Sequence, residues 1–560
     1  MSVNRSDFVI IGGVATGPKT AATLARRLPD VKITLFQRES LVSYATCGMP
    51  YFASGDIDSF QKLTATSYDV QRDADFFKNT KGFDVVTGAQ VIRIDREKKV
   101  TAVKMLATGE VLEHAYGKLV IATGAAPMQP PFPVAESPRI SSFTKPDDAV
   151  AFREAAQTGQ VGKVVVVGGG FIGCEVVEAA AGLWGIETVL VEKENQILPY
   201  VLDPEMAAIA EREMMRQDVT IKTGMQVKRI DLDGDGNPVV LLQNEESISC
   251  DYVFLCLGVS PETSLARDCG LRIGDRGGIV VDSHMRTSDP DIFAGGDCVE
   301  SHHLITGAQI YIPMGSLANR HGRVIAENLA GNHAEFKGVV GAFLVKIFDT
   351  NVGAVGLSQK AAEAAGFRAE AVWGAFPDKP DYYPEFGTFS VKLVYSSDDE
   401  RLLGLQAVGA GDICRRIDVF SSFLQRRASV HDLLAFEHGY APPYSEVLDP
   451  LHQMAALAIA REKGLQIVGP ADKSADNVVF LDVRETEEFS SEPWPVSGSC
   501  TLVNIPLGEL RLRIDELDRI REIRIVCRRG PRSYQASLIL RHAGFENVTM
   551  IGGGTQASLS

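Results

Sequence analysis

At 560 residues, 45% of them hydrophobic and 23% charged, the chain is too long for one hydrophobic core, and its length predicts about three to four domains. A net charge of −16 gives no support to nucleic-acid binding, which calls for a basic face, and no run of 18 apolar residues is present to span a membrane. The nine cysteines include no C-x-x-C pair, so neither a metal site nor a disulfide framework is read. A strand begins almost at the N-terminus, leaving no room for a secretory signal, and the expectation is a cytoplasmic protein.

In chain order, the strand Asp7–Ile11 runs into Gly12-Gly13-Val14-Ala15-Thr16-Gly17 and then a helix from near Pro18 to Leu28. Gly12, Gly13 and Gly17 permit a tight turn and close backbone approach to a pyrophosphate seated on the helix N-terminus, although Val14 stands where the strict pattern has glycine. The next strand, Val31–Phe36, ends at Gln37, an amide where a ribose-binding acid is usual. A β-rich region follows, closing on Lys118–Gly124. The same grammar then recurs: a valine strand from Lys163, the full G-x-G-x-x-G of Gly168, Gly170 and Gly173, a helix to Leu183, and a strand Thr188–Val191 ending at Glu192. A carboxylate there accepts hydrogen bonds from ribose hydroxyls and repels a 2′-phosphate, which favours NADH, with NADPH as the alternative. Asp251–Gly258 and Asp291–Asp297 are strands that stop at glycine. Strands (Val391–Tyr395, Leu403–Val408) then mix with amphipathic helices (Asp418–Arg426, Pro450–Glu462). A polar linker, Gly469–Asn477, precedes a final small α/β domain.

Two dinucleotide units in one chain imply electron relay, hydride entering from one cofactor and leaving through the other. Ala122-Thr123-Gly124 and the segment Thr287–Asp297, which ends Ala-Gly-Gly-Asp, resemble the two further FAD motifs of the pyridine nucleotide-disulfide oxidoreductases. The resemblance implies FAD at Gly12, Gly13, Gly17, Gln37, Thr123, Gly124 and Asp297, the last at the flavin's ribityl-phosphate region. It implies NAD(H) at Gly168, Gly170, Gly173, Glu192 and Gly258.

The family places a redox cysteine after the second strand of the FAD unit, and here that residue is Cys47. Relatives with C-x-x-x-x-C form an internal disulfide; five residues after Cys47 stands Phe52. A lone thiol must cycle through a mixed disulfide or a sulfenic acid. Ser43-Tyr44-Ala45-Thr46-Cys47-Gly48-Met49-Pro50-Tyr51 resembles the S-F-x-x-C-x-x-P-Y motif of coenzyme A-disulfide reductases and NADH-dependent persulfide reductases, with Thr46 where asparagine is usual. Ser43 and Thr46 are therefore read at the substrate. NADH oxidases and peroxidases of the family carry a histidine in the first glycine loop; Ala15 stands there and disfavours that branch. Tyr440-Ala441-Pro442-Pro443-Tyr444-Ser445 resembles the segment whose first tyrosine reaches the partner subunit's cysteine, which implies a homodimer, and Tyr383 looks like a second such phenol. Arg26 and Arg27 are read as meeting coenzyme A phosphates.

Near the C-terminus, Cys527-Arg528-Arg529-Gly530-Pro531-Arg532-Ser533 resembles the rhodanese loop C-x-x-G-x-R-S, and Leu481–Arg484 and Asn504–Leu507 match its other landmarks. Loop N–H groups, Arg528, Arg529, Arg532 and a helix N-terminus all favour a thiolate and an anion there. Ser491–Gly498 replaces the usual G-H-I-P-G-A stretch.

The fold expected is α/β. Residues 1–150 and 251–325 form an FAD domain, 151–250 an NAD(H) domain, 326–468 an α+β dimerisation domain, and 478–560 a rhodanese-like domain. The expected activity is NADH-driven reduction of coenzyme A persulfide, polysulfide or a related small persulfide through a Cys47 mixed disulfide, with Cys527 carrying sulfane sulfur. Coenzyme A-disulfide reductase and NADH oxidase are the enzymatic alternatives; a redox-sensing or sulfur-delivery protein is the non-enzymatic one.

Overall fold

The computed structural model describes residues 4–472, 477–496 and 499–558. The middle of the expected linker, Lys473–Asp476, and Ser497 and Gly498 of the replaced rhodanese stretch lie outside the described residues. The chain divides into two compact units, Met1–Val189 with Gln226–Val339, and Leu190–Met225 with Val340–Ser560.

In the first unit the expected leading strand forms as Asn4–Ile11, and its apolar run packs into the centre of a sheet, Val9 and Ile10 being fully buried. It pairs in parallel with Ile33–Phe36 on one side and Val111–Ile121 on the other. Ile292–Ala294 lies parallel to Val111–Ile121 in turn. The register sets Ile11 beside Phe36 and Ile121, and Ala294 beside Ile121. Three strands therefore end level, and the loops that follow (Gly12, Ala122-Thr123 and Gly295–Asp297) meet at one carboxyl edge, where such sheets bind ligands. An antiparallel meander, Ala89–Asp95 and Val100–Met105, extends the far side. The helix after the first glycine loop spans Thr16–Arg27, starting two residues before Pro18. It packs on Gly315–Leu329: Thr16 Oγ1 donates to Ala318 O at 2.9 Å, and a Cβ on Gly322 would lie 2.7 Å from Thr16 O. The second glycine strand, Lys163–Val167, buries all four valines against Tyr252–Leu255, with which it runs parallel.

In the second unit, five antiparallel strands run in the order 342–347, 350–356, 402–409, 388–396 and 369–377. Their two central members are buried almost throughout because the helices Cys414–Gln425 and Pro450–Glu462 belong to the same layered core. Lys392 stands in that interior at 2% exposure, its ammonium held by Asp203 at 2.9 Å and Glu205 at 2.6 Å, which is how a buried charge is tolerated. The final domain is an all-parallel sheet, 466–468, 548–551, 523–526, 479–482 and 501–504. Apolar strands such as Val479–Asp482 are buried on both faces, as parallel sheets require.

Candidate functional site

Both glycine loops use the same steric device. Gly12 has φ +106°, and a Cβ on it would sit 2.0 Å from Ala122 O; a Cβ on Gly17 would sit 1.9 Å from Gly12 O. In the second loop Gly168 has φ +107° with Cys256 O at 2.3 Å, and Gly173 meets Gly168 O at 1.9 Å. The middle glycine differs in kind. Nothing lies within 4 Å of a Cβ on Gly170, so packing does not demand glycine there and the backbone stays open to an approaching group. Both loops thus form cradles of the shape that a dinucleotide pyrophosphate fills. Gly124 is likewise open around its Cβ position, and Gly258, at φ +96°, accepts from Met128 N–H at 3.0 Å through its carbonyl. Thr123 donates its hydroxyl to Glu262 O at 2.6 Å.

Gln37 is 3% exposed, and its amide is spent inside the protein. Oε1 accepts from Gly13 N–H at 2.8 Å, while Nε2 donates to Glu39 at 2.7 Å and to Leu41 O. It braces the loop, and the carboxylate at this strand end comes from Glu39, which residue counting to the strand's last position passes over. In the second unit Glu192 is 6% exposed and accepts from Glu194 N–H at 2.8 Å, closing the turn after Glu187–Val191.

Cys47 lies in one 3₁₀ turn, Thr46–Gly48, that leads straight into the helix Met49–Ser54. Gly48 packs closely on Leu63, whose Cδ2 would lie 2.4 Å from a Cβ at that position. Ser43 adopts φ +53° and donates its N–H to Gly13 O at 2.7 Å, tying the cysteine segment to the first glycine loop. Phe52 is buried beneath the Arg153 guanidinium, 4.4 Å from the ring centroid. The helix Gly315–Leu329 begins at the thiol: a Cβ on Gly315 would lie 3.9 Å from Cys47 Sγ. Met314 N–H, just before it, donates to Asp297 Oδ1 at 3.1 Å. Cys47 and the aspartate of the second FAD motif thus share one small region.

Cys47 is exposed as a residue, yet the protein around its thiol pushes the pKa up, chiefly by burial and then through Glu175 and Asp297, while the Thr46 side chain hydrogen-bonds it and pulls the other way. Glu175 and Glu178, one turn apart on the helix Phe171–Ala181, face Tyr51, Ser54 and Asp56 around a cavity of about 10 Å³, the size of one water. Burial, and then Glu178, raise the Glu175 carboxyl to about 7, and burial together with both glutamates and Cys47 raises Tyr51 to about 12. The sequence reading passed over Glu175 and Glu178; two acids in the otherwise apolar run Phe171–Ala181 were the available signal.

Arg26 donates to Thr23 Oγ1 at 3.1 Å and Arg27 pairs with Glu327 at 2.7 Å, so both are engaged at the far end of the helix that starts at Thr16. In the second unit the phenol hydrogen-bonded to Tyr440 is Tyr382. Tyr383 lies next to it in sequence, under the Lys379 ammonium, 5.7 Å from its ring centroid.

Cys527 is 1% exposed at the end of Ile523–Val526, and its sulfur accepts from Gly530 N–H at 3.1 Å. The helix Pro531–His542 starts directly after. The three arginines divide. Arg532 is gripped by both Glu488 oxygens at 2.5 and 2.8 Å, and Glu488 is pulled down to about 2 by that pair. Arg529 lies 3.8 Å from Asp381 and accepts from Ala375 N–H through its carbonyl at 3.2 Å, docking the loop on the antiparallel sheet. Arg528 O accepts from Gln556 N–H. Glu488 is a further residue missed in sequence. Among the described residues no group of His, Cys, Asp or Glu is arranged to hold a metal, and no helix is long and apolar enough to cross a membrane.

Residues 6–311 match the family model described as pyridine nucleotide-disulphide oxidoreductase, residues 343–452 its dimerisation domain, and residues 471–559 a rhodanese-like domain. A "NAD(P)H sulfur oxidoreductase (CoA-dependent)" of Pyrococcus abyssi is 32% identical over 80% of this chain and 98% of its own. Among solved structures, a NAD-dependent persulfide reductase from A. fulgidus aligns with TM-score 0.94 at 36% identity, covering 99% of this chain and 100% of that one. The reduced CoADR-RHD of Bacillus anthracis aligns with TM-score 0.90 at 31% identity, covering 100% and 98%.

Proposed function

The chain belongs to the pyridine nucleotide-disulphide oxidoreductases, a family that uses FAD and NAD(P)H, and from that premise we propose that it is an NADH-dependent reductase of coenzyme A persulfide, polysulfide or a related small persulfide. One observation carries the reading: a lone thiol, Cys47, stands with Asp297 at the start of the helix Gly315–Leu329, and buried Phe52 occupies the place a resolving cysteine would take. The names of the Pyrococcus abyssi and A. fulgidus relatives support the substrate class.

In this mechanism the Cys47 thiolate attacks the inner sulfur of R–S–SH. The S–S bond breaks, sulfide leaves with the electron pair, and a Cys47–S–S–R mixed disulfide forms. Two electrons and a proton then return the Cys47 thiolate and release RSH. That electron pair is the chemistry that FAD and NADH would supply when bound. Gly12, Gly13, Gly17, Thr123, Gly124 and Asp297 hold FAD, with Gln37 bracing the first loop; Gly168, Gly170, Gly173, Gly258 and Glu192 hold NADH. Thr46 stabilises the thiolate by hydrogen bonding, and Ser43 fixes the backbone of its segment. Tyr440, with Tyr382 as its partner, supplies a neutral proton donor to the leaving thiol across a homodimer. The exposed Tyr382, Tyr440, Tyr444, Val447 and Leu448 offer a second copy an apolar surface. Arg528 and Arg529 favour anionic sulfur donors near Cys527, which takes sulfane sulfur by displacing, for example, sulfite from thiosulfate. We place the enzyme in the cytoplasm, whose reducing conditions keep a thiol such as Cys47 available.

Comparing kcat/KM for coenzyme A persulfide and coenzyme A disulfide tests the substrate. A preference for persulfide of tenfold or more is expected; the reverse order makes the chain a disulfide reductase.

A further inference from the structure

His321 belongs to none of the groups above, yet it is 1% exposed and touches the FAD motif directly. It lies on the helix Gly315–Leu329, and its Nδ1 accepts from Gly296 N–H at 3.2 Å. Accepting at Nδ1 fixes the proton on Nε2, which has no hydrogen-bond partner among the described residues. The ring meets Phe336 edge to face, centroids 4.4 Å apart and planes at 89°, and the Arg320 guanidinium covers the same Phe336 ring at 5.1 Å.

What Nδ1 holds is a turn with little freedom elsewhere. Gly296 has φ +84°, and a Cβ on it would lie 2.5 Å from Thr16 Oγ1; a Cβ on Gly295 would lie 3.0 Å from His321 Cβ. Thr16, the first residue of the helix after the first glycine loop, is itself tied to Ala318 O at 2.9 Å. One helix, through Ala318 and His321, therefore grips both the start of the first glycine loop's helix and the backbone that carries Asp297. Burial and Arg320 keep the imidazole neutral, lowering its pKa to about 3, so the Nδ1 lone pair persists at every working pH.

We propose that His321 is a positioning residue for FAD, its Nδ1 holding the Gly296 N–H so that Asp297 is presented to the cofactor at a fixed distance from the first glycine loop. The proposal rests on FAD occupying this carboxyl edge. Asparagine places Oδ1 where Nδ1 stands and preserves the acceptor; leucine fills similar space without one. The test measures FAD release from full-length holoenzyme on dilution, by recovery of flavin fluorescence, for wild type, His321→Asn and His321→Leu. The expected result is FAD affinity within about threefold of wild type for His321→Asn and a loss of about tenfold or more for His321→Leu. Equal affinity for His321→Leu and wild type overturns the proposal, as does His321→Asn as weak as His321→Leu. If His321→Leu does not fold, the asparagine variant decides alone: retention supports the proposal, and a tenfold loss overturns it. Wild-type protein that binds no FAD refutes the cofactor assignment instead, so the two failures are distinct.

Discussion

Glu488→Gln isolates the pair that shapes the Cys527 loop. Glu488 and Arg532 are 30% and 28% exposed and meet through two contacts, at 2.5 and 2.8 Å. The drop of the Glu488 carboxyl from 4.5 to about 2 corresponds to about 3.4 kcal/mol at most, and solvent screening of a partly exposed pair brings it to about 1–2 kcal/mol. A depressed carboxylate pKa stabilises the fold fully above its unfolded value and loses that contribution as pH falls through the folded one. The wild-type advantage is therefore complete at pH 7 and shrinks from about pH 5 toward pH 2. Hydrogen exchange on the full-length protein at pH 7 should show protection of Val479–Asp482 and Ile523–Val526 falling about five- to thirtyfold in the variant. NADH-dependent reduction of a preformed soluble persulfide should be unchanged. Equal protection in the two proteins refutes the clamp, and so does a wild-type advantage that persists undiminished below pH 3.

The glycines of the two loops should separate fold from ligand. Gly17→Ala puts a Cβ 1.9 Å from a backbone oxygen and should yield protein depleted of FAD and less stable by thermal melt. Gly170→Ala has open space and should melt like wild type while its KM for NADH rises about tenfold or more. The neighbours of Cys47 should move its reactivity in opposite directions: Glu175→Gln removes a carboxylate and should speed alkylation by iodoacetamide at pH 8 about two- to fivefold, whereas Thr46→Val should slow it. The Glu175 effect should fade below about pH 7, where that carboxyl becomes protonated.

The glycine loops were legible in sequence because part of their requirement is local: a Cβ on Gly17 or Gly173 would meet the carbonyl of Gly12 or Gly168 five residues earlier, which leaves a fixed spacing. That Cys47 stands alone was likewise readable, since Phe52 occupies the position five residues on and no second cysteine follows there. What the sequence could not show depends on contacts between distant segments. Gln37 was read as facing a ribose, but its amide turns inward because Gly13 N–H and Glu39 lie within reach. His321 matters through Gly296, 25 residues away, and Glu488 through Arg532, 44 residues away.

The central claim is that Cys47 forms the mixed disulfide from which sulfide is released. Anaerobic sulfide release from coenzyme A persulfide with excess NADH, followed in wild type, Cys47→Ser and Cys527→Ala, tests it directly. The account predicts loss of release in Cys47→Ser, with FAD still bound, and near wild-type release in Cys527→Ala. Full NADH-dependent release from Cys47→Ser would contradict it.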